Sequence, residues 1–355
     1  MRPFTGAPAG APRRAFHAKY PFAILLALAL LLSSGCAPAP AQAAPSAERT
    51  FFAMDTVMTL RLYQGGGEDL LGAAEDRVKE LEGLLSVTDE NSEIYALNHA
   101  GAADLSPDTA ALLAAALDTC GRADGALDIS IYPVLRAWGF TTGEYAVPSD
   151  ETIAALLPLV DYTQVRLDGD SASLPEGMEI DLGSVAKGYT GDALAALLRE
   201  NGAASALLDL GGNIQAVGAK PDGSPWRIGV RDPAGEGNIG VVEVEDQAVV
   251  TSGGYERYFE QDGVRYWHIL DPETGAPARS GLASVTVIGD DGVLCDALST
   301  ALFVMGPEGA LDHWRQHRDF EAVLVSDGGS VTITAGLEGR FTLADPSRAL
   351  TVARP

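Results

Sequence analysis

The sequence predicts an α+β fold of largely antiparallel sheets with packed helices, and three observations carry that prediction. Helical and extended segments are interspersed without the regular strand–helix cadence of a doubly wound sheet. Several extended segments fall in pairs joined by short turns, as hairpins do. Hydrophobic residues make up 46% of the 355 residues, enough for a large core and too many for a disordered chain.

The elements follow in chain order. Residues 50–63 alternate well enough for one strand, closed by Gly65-Gly66-Gly67. Residues 68–85 repeat apolar side chains at helical spacing: Leu70, Leu71, Ala74, Val78, Leu81, Leu84 and Leu85. Ser106-Pro107 opens a second helix to about Arg122, serine capping it and proline taking the first helical position. Residues 128–140 form a compact apolar segment broken by Pro133, and Ser149-Asp150 starts a short helix. Strands at 165–167 and 178–182 flank the turn Asp168-Gly169-Asp170. A helix over 184–199 precedes strands near 205–210, 214–217, 226–230 and 241–245. Short strands run on through Leu270 and at 283–288. A helix over 295–304, a second after Pro307, and strands near Ala322 and Val331 complete the chain. No internal repeat or low-complexity linker interrupts residues 50–345.

Before this domain lies an address. Basic residues up to Lys19 precede an apolar run over 22–32 and then Ser33-Ser34-Gly35-Cys36. The run is too short to span a bilayer and matches the apolar region of a secretory signal. A cysteine directly after small residues is the pattern of a lipoprotein signal over 1–35, in which Cys36 becomes the lipidated N-terminus. Ser33 stands where such signals more often carry leucine, and an ordinary cut after Ala41-Gln42-Ala43 is the alternative. Residues 36–49, rich in Pro and Ala, read as a tether, and 50–355 as the folded domain. The expected location is extracytoplasmic, lipid-anchored to the cell membrane's outer face or the periplasmic side.

The formal charge is −25, and without the basic leader 20 basic face 49 acidic groups, near −29. A field of that sign repels nucleic acid, so nucleic-acid binding is excluded as a function. An anionic small ligand needs a local cation or metal to offset the repulsion. Cys120 and Cys295 read as two separate buried thiols, not a disulfide scaffold.

Three constellations carry candidate chemistry. In Asp181-Leu182-Gly183-Ser184-Val185-Ala186-Lys187-Gly188 a strand runs through glycine into a helix, where free N–H groups and Lys187 suit a phosphate. Lys187 reads equally as a solvated side chain or a partner of Asp181. In Asp296-Ala297-Leu298-Ser299-Thr300 the carboxylate and both hydroxyls share one helix face, an all-oxygen set suited to Mg²⁺. The alternative has Asp296 capping its helix and the hydroxyls bonding back to the preceding turn. The third pairs Thr251-Ser252-Gly253 with a strand ending in His268-Ile269-Leu270, where His268 suits acid–base chemistry or a structural place. Asp209-Leu210-Gly211-Gly212-Asn213 adds a backbone-exposing loop.

Taken in order, Met54-Asp55-Thr56, Asp128-Ile129-Ser130, Asp181-Leu182-Gly183 with Ala186-Lys187-Gly188, Asp209 to Asn213, Thr251-Ser252-Gly253, His268 to Pro272 and Asp296 to Thr300 resemble the FAD:protein FMN transferases, or ApbE flavin transferases. The resemblance covers about residues 51–306. It implies Mg²⁺-dependent cleavage of the FAD pyrophosphate, transfer of FMN to a threonine hydroxyl of a target flavoprotein, and release of AMP. Family targets are membrane redox-complex subunits and extracytoplasmic flavoproteins. The metal falls on Ser184, Asp296 and Thr300 with Ser299 adjacent. FAD falls on Met54, Ala126, Leu127, Asp128, Asp181, Lys187, His268 and Ile269, with Thr88 where some members place a tyrosine. Catalysis falls on His268, Asp296 and Lys187. Asp55 stands where the family usually has glycine. Two other readings stand beside it: an FAD pyrophosphatase giving FMN and AMP, and a non-catalytic flavin-binding lipoprotein.

Overall fold

The computed structural model describes residues 44–355; the leader, Cys36 and most of the tether lie outside the described residues. The N-terminal part holds strands β1 (Ala47–Ala53) and β2 (Thr56–Gln64), helices α1 (Glu68–Leu85) and α2 (Glu93–Ala100), strand β3 (Ala102–Asp104) and helix α3 (Pro107–Arg122). The short helices α4 (Tyr132–Ala137) and α5 (Asp150–Leu156) and the strands β4 (Arg166–Asp168) and β5 (Ser171–Ser173) follow. After α6 (Ala186–Glu200) come β6 (Ser205–Asp209), β7 (Ile214–Val217), β8 (Trp226–Arg231), β9 (Asn238–Val244) and β10 (Ala248–Gly253). The hairpin of β11 (Tyr258–Gln261) and β12 (Val264–Trp267) precedes β13 (Leu282–Gly289) and α7 (Gly292–His317). Strands β14 (Glu321–Ser326), β15 (Val331–Thr334), β16 (Phe341–Leu343) and β17 (Leu350–Ala353) close the chain.

Nine strands form one sheet in the order β1-β2-β6-β7-β10-β13-β14-β15-β17, antiparallel except for the β15–β17 pair. Successive side chains of a strand point to opposite faces, and this sheet is buried on both. Val250, Val285, Val287 and Leu324 pack with Leu298, Leu302 and Phe303 of α7 in the largest core. Their neighbours Val249, Ile288, Val323 and Val325 pack instead with Trp226, Ile228, Val230 and Val242 of the small sheet β16-β9-β8. The expected mixture of helices with largely antiparallel sheets is therefore present, with helices on one face of the large sheet and strands on the other. Among the described residues no helix is long and apolar enough to cross a membrane.

Helix signals in the sequence hold well. Ser106 caps α3 and Ser149 caps α5, each accepting a backbone N–H three residues on. Gly306, with φ of 75°, breaks α7 into the two helices expected on either side of Pro307. Cys120 and Cys295 are both free and buried.

Three expectations are corrected. Residues 50–63 are a hairpin and not one strand: Met54 and Asp55 turn the chain with φ of 49° and 59°, and Ala53 pairs with Thr56. Left-handed φ at both central residues makes the tight turn that joins twisted strands, and it normally draws Asn or Gly. Residues 178–182 are not a strand, because the Asn98 side chain takes both backbone groups of Ile180 at 2.8 Å. Asp296 does not cap α7; Asp291 does, accepting from Leu294 N at 2.9 Å.

Candidate active site

A cavity of about 850 Å³ opens where the β1–β2 turn, the entry to α6, the β6–β7 loop, β8, β10 and the first turns of α7 meet. Eleven of the thirteen residues singled out in the sequence for metal, flavin or catalysis line it: Met54, Ala126, Leu127, Asp128, Asp181, Ser184, Lys187, His268, Ile269, Asp296 and Thr300. Ser299 lies behind this surface, fully buried. Thr88 does not line the cavity; its hydroxyl sits 3.2 Å from Ser86 Oγ after α1.

Asp296 owes its position to contact between two helices. Its Oδ2 accepts the Gly188 N–H at 2.8 Å, from the first turn of α6. A Cβ on Gly188 would stand 2.1 Å from the Gly292 carbonyl, so only glycine lets the two helices approach this closely. The N-terminus of α7 is already served by Asp291 and by Asp192, which accepts from Gly292 N at 2.9 Å. Asp296 is thus spared for the cavity. It is 5% exposed, and burial pushes its carboxyl pKa up against the opposing pull of Lys187 and the Gly188 N–H. Among the described residues no basic side chain forms an ion pair with it, so its negative charge is compensated only by dipoles and by Lys187 at a distance.

Hydroxyls complete the surroundings. Ser299 Oγ donates to the Asp296 carbonyl at 2.8 Å, so its single proton is spent and Ser252 Oγ, 2.7 Å away, donates to it. Ser252 is 3.3 Å from Thr300 Oγ1. Of the two hydroxyls, Ser299 bonds back along the helix as one expectation had it, and Thr300 faces the cavity. Among the described residues no three His, Cys, Asp or Glu side chains converge as a metal cluster. One carboxylate among hydroxyl oxygens fits a hard cation that keeps waters and ligand oxygens in its shell, such as Mg²⁺, and not zinc.

The other wall carries groups of different kinds. Asp181 accepts from Gly183 N, and burial raises its pKa against the pull of that N–H, Arg257 and Lys187. His268 has its Nδ1 3.2 Å from the Arg257 carbonyl, which can only accept, so Nδ1 carries the proton and Nε2 the lone pair. Burial, then the Arg257 charge, lower its pKa to about 4, so it is neutral at pH 7. Glu256, which sequence reasoning missed, lines the cavity; the residue is exposed as a whole, yet the cavity walls that crowd its carboxyl desolvate it and raise its pKa to about 7, against the pull of Lys187 and Arg231. Arg227, Arg231 and Arg257 also line the cavity and were missed. Their only sequence signal was proximity: Glu256 and Arg257 follow the Thr251-Ser252-Gly253 motif directly. Two polar atoms buried in this wall, Asn213 Nδ2 and Tyr255 Oη, have no hydrogen-bond partner among the described residues.

Chemically the arrangement suits a phosphorylated ligand held with a divalent cation and processed beside titratable groups. Comparison with known proteins gives the class a name: the ApbE family matches residues 54–324, and the chain belongs to that family. It is 35% identical to an FAD:protein FMN transferase of Klebsiella pneumoniae (strain 342), over 82% of this chain and 93% of that one. A Treponema pallidum (strain Nichols) protein of the same name is 35% identical over 84% of this chain and 89% of its own. The crystal structure of the ApbE protein from Thermotoga maritima superposes with a TM-score of 0.77 at 33% identity, covering 82% of this chain and 98% of that one. Apo flavinyl transferase ApbE of Pseudomonas stutzeri gives 0.74 at 32% identity, over 82% and 96%.

Proposed function

We propose that this protein transfers FMN from FAD to a threonine hydroxyl of a target flavoprotein, with Mg²⁺ held at Asp296, Thr300 and Ser184, and releases AMP. The transferase names of its relatives support the reaction. The observation that carries the metal is Asp296 itself, a buried carboxylate on the cavity wall with no ion-pair partner among the described residues. Bound there, Mg²⁺ supplies Lewis-acid stabilisation of charge on the phosphoryl oxygens. Lys187 and the N–H groups entering α6 offset the charge of the pyrophosphate in a protein that is otherwise strongly acidic.

In the transfer, the acceptor oxygen bonds to the FMN phosphorus as the bond from that phosphorus to the bridging oxygen breaks. The bridging oxygen leaves with its electron pair on AMP, and the hydroxyl proton passes to a base on the wall. Glu256 is better matched than His268 to take it, since a base titrating near the working pH combines availability with driving force. The uncharged His268, held by the Arg257 carbonyl, then serves to orient its neighbours.

We also propose that Cys36 anchors the protein by lipid outside the cytoplasm, where its acceptor would be a membrane redox-complex subunit or an extracytoplasmic flavoprotein. The leader and the Pro/Ala-rich tether support that reading. The test is the full chain with FAD, Mg²⁺ and a threonine-bearing acceptor peptide, read by intact mass. An adduct of one FMN, lost with EDTA, is the expected result. Free FMN and AMP without an adduct would make water the acceptor.

A further inference from the structure

The cations of this acidic protein are distributed unevenly. Among the described residues eleven of the twenty basic side chains are ion-paired within 4.0 Å: ten arginines and Lys79. The four basic groups that line the cavity, Lys187, Arg227, Arg231 and Arg257, include none of them. Lys187 has a phosphate role in the reaction above, and Arg257 donates to the Phe140 carbonyl at 2.8 Å. Arg227 and Arg231 remain. They alternate along β8 with the buried Trp226, Ile228 and Val230, so both project from the face turned away from the core. Gly229 lies between them, where a Cβ would strike the Asn238 amide at 2.3 Å. Four residues of strand set their backbones roughly 13 Å apart. Arg231 lies over the Tyr255 ring at 5.1 Å, which holds its guanidinium at the cavity without neutralising it.

Exposed apolar surface is concentrated in the same way. Among the described residues, six of seven large exposed hydrophobic side chains lie on the segments 52–57, 145–147 and 258–264, near in sequence to residues that line the cavity. Phe52 and Val57 pair across the β1–β2 hairpin beside Met54 and Thr56, and Tyr145 and Val147 follow Phe140 and Thr141. Tyr258 and Val264 stand on the β11–β12 hairpin after Arg257. Tyr145 is stacked on Phe259 at 5.3 Å and meets the cavity-lining Phe140 edge-on at 5.7 Å, so this wall continues the cavity outward. A small ligand inside the cavity has no use for apolar surface beyond its rim, whereas a protein bound across the opening does.

We propose that Arg227 and Arg231, on the cavity wall, form an acceptor-docking site that draws in an acidic segment of the target protein carrying the acceptor hydroxyl. The inference rests on the transferase reading and adds the partner's chemistry: unpaired guanidinium groups select carboxylates, and the apolar rim selects a polypeptide.

The test uses the full chain loaded with FAD and two fluorescent threonine peptides, identical except that one carries Asp and Glu around the threonine and the other their amides. Anisotropy is expected to show the acidic peptide binding about tenfold tighter or more, with a preference that fades as salt rises. Arg227→Gln with Arg231→Gln is expected to remove the preference while leaving FAD affinity, read by flavin fluorescence, unchanged. Equal affinity of the intact protein for the two peptides would overturn the proposal. So would an FAD affinity that falls with the arginines, which would make them part of the flavin site, or a single-stranded oligonucleotide displacing the peptide at equal concentration. Peptide binding is read independently of turnover: tight acidic binding without an FMN adduct would count against transferase activity, and an adduct formed without the preference would count against the docking site.

Discussion

Asp128 and Asp296 line the same cavity, are both buried, and both have their pKa raised by that burial, yet their oxygens are engaged differently. Asp128 spends its oxygens on the chain. Oδ1 accepts from Ser130 N at 2.8 Å and Ser130 Oγ at 2.6 Å, and Oδ2 accepts from Tyr162 N at 3.0 Å. It ties the segment after α3 to the segment before β4, and little capacity is left for a ligand. Asp296 accepts Gly188 N–H and faces hydroxyls, with its helix capped by other carboxylates. Burial and a shifted pKa therefore do not separate a carboxylate open to a ligand from one tied to the chain. Unspent hydrogen-bonding capacity beside an open cavity does.

Four substitutions break or sharpen that contrast. Asp296→Asn keeps the shape and removes the charge, and is expected to cost transfer about 10³-fold with no loss of thermal stability. A folded variant that still flavinylates its acceptor would erase the distinction between the two carboxylates. Glu256→Gln is expected to lower transfer about 100-fold at pH 8. With a carboxyl pKa of about 7, the wild-type rate should rise with pH as the base loses its proton, and the variant's profile should flatten through that window. A limb near pH 7 that survives the change would assign the titration elsewhere. Gly188→Ala drives a methyl group against the Gly292 carbonyl and the Asp296 Cβ while leaving every carboxylate in the sequence, and should weaken Mg²⁺ binding roughly tenfold, read by calorimetry. Asp128→Asn should move turnover least, by less than about tenfold per folded molecule. It should lower stability by about 1–3 kcal/mol, because an amide nitrogen then faces a donor; denaturant unfolding measures this.

How far the site could be read from the sequence follows from the range of the interactions that build it. Helix α3 was legible because its cap, proline and apolar face lie within one segment. The β1–β2 turn was not, since Met54 and Asp55 adopt left-handed φ without the residues that usually signal it. Such strain beside a cavity is a common mark of function. Residues 178–182 looked like a strand because their apolar pattern fits one, but Asn98, 82 positions away, supplies the hydrogen bonds a neighbouring strand would have made. The carboxylate of Asp296 and its hydroxyl neighbours were legible as a motif. Its freedom from capping was not, because that depends on Asp192 and Gly188, each more than a hundred residues distant. Arg227 and Arg231 were the hardest case: in sequence they are two charges on an alternating strand, and only their place on the cavity wall without an ion-pair partner among the described residues marks them out.

The cavity draws its walls from Met54 at one end of the domain to Thr300 near the other. A ribosome makes the chain from its N-terminus, so a nascent polypeptide has no complete cavity until Thr300 has emerged. FAD cannot nucleate the early stages of folding, and truncation before α7 leaves a polypeptide with no place for the dinucleotide.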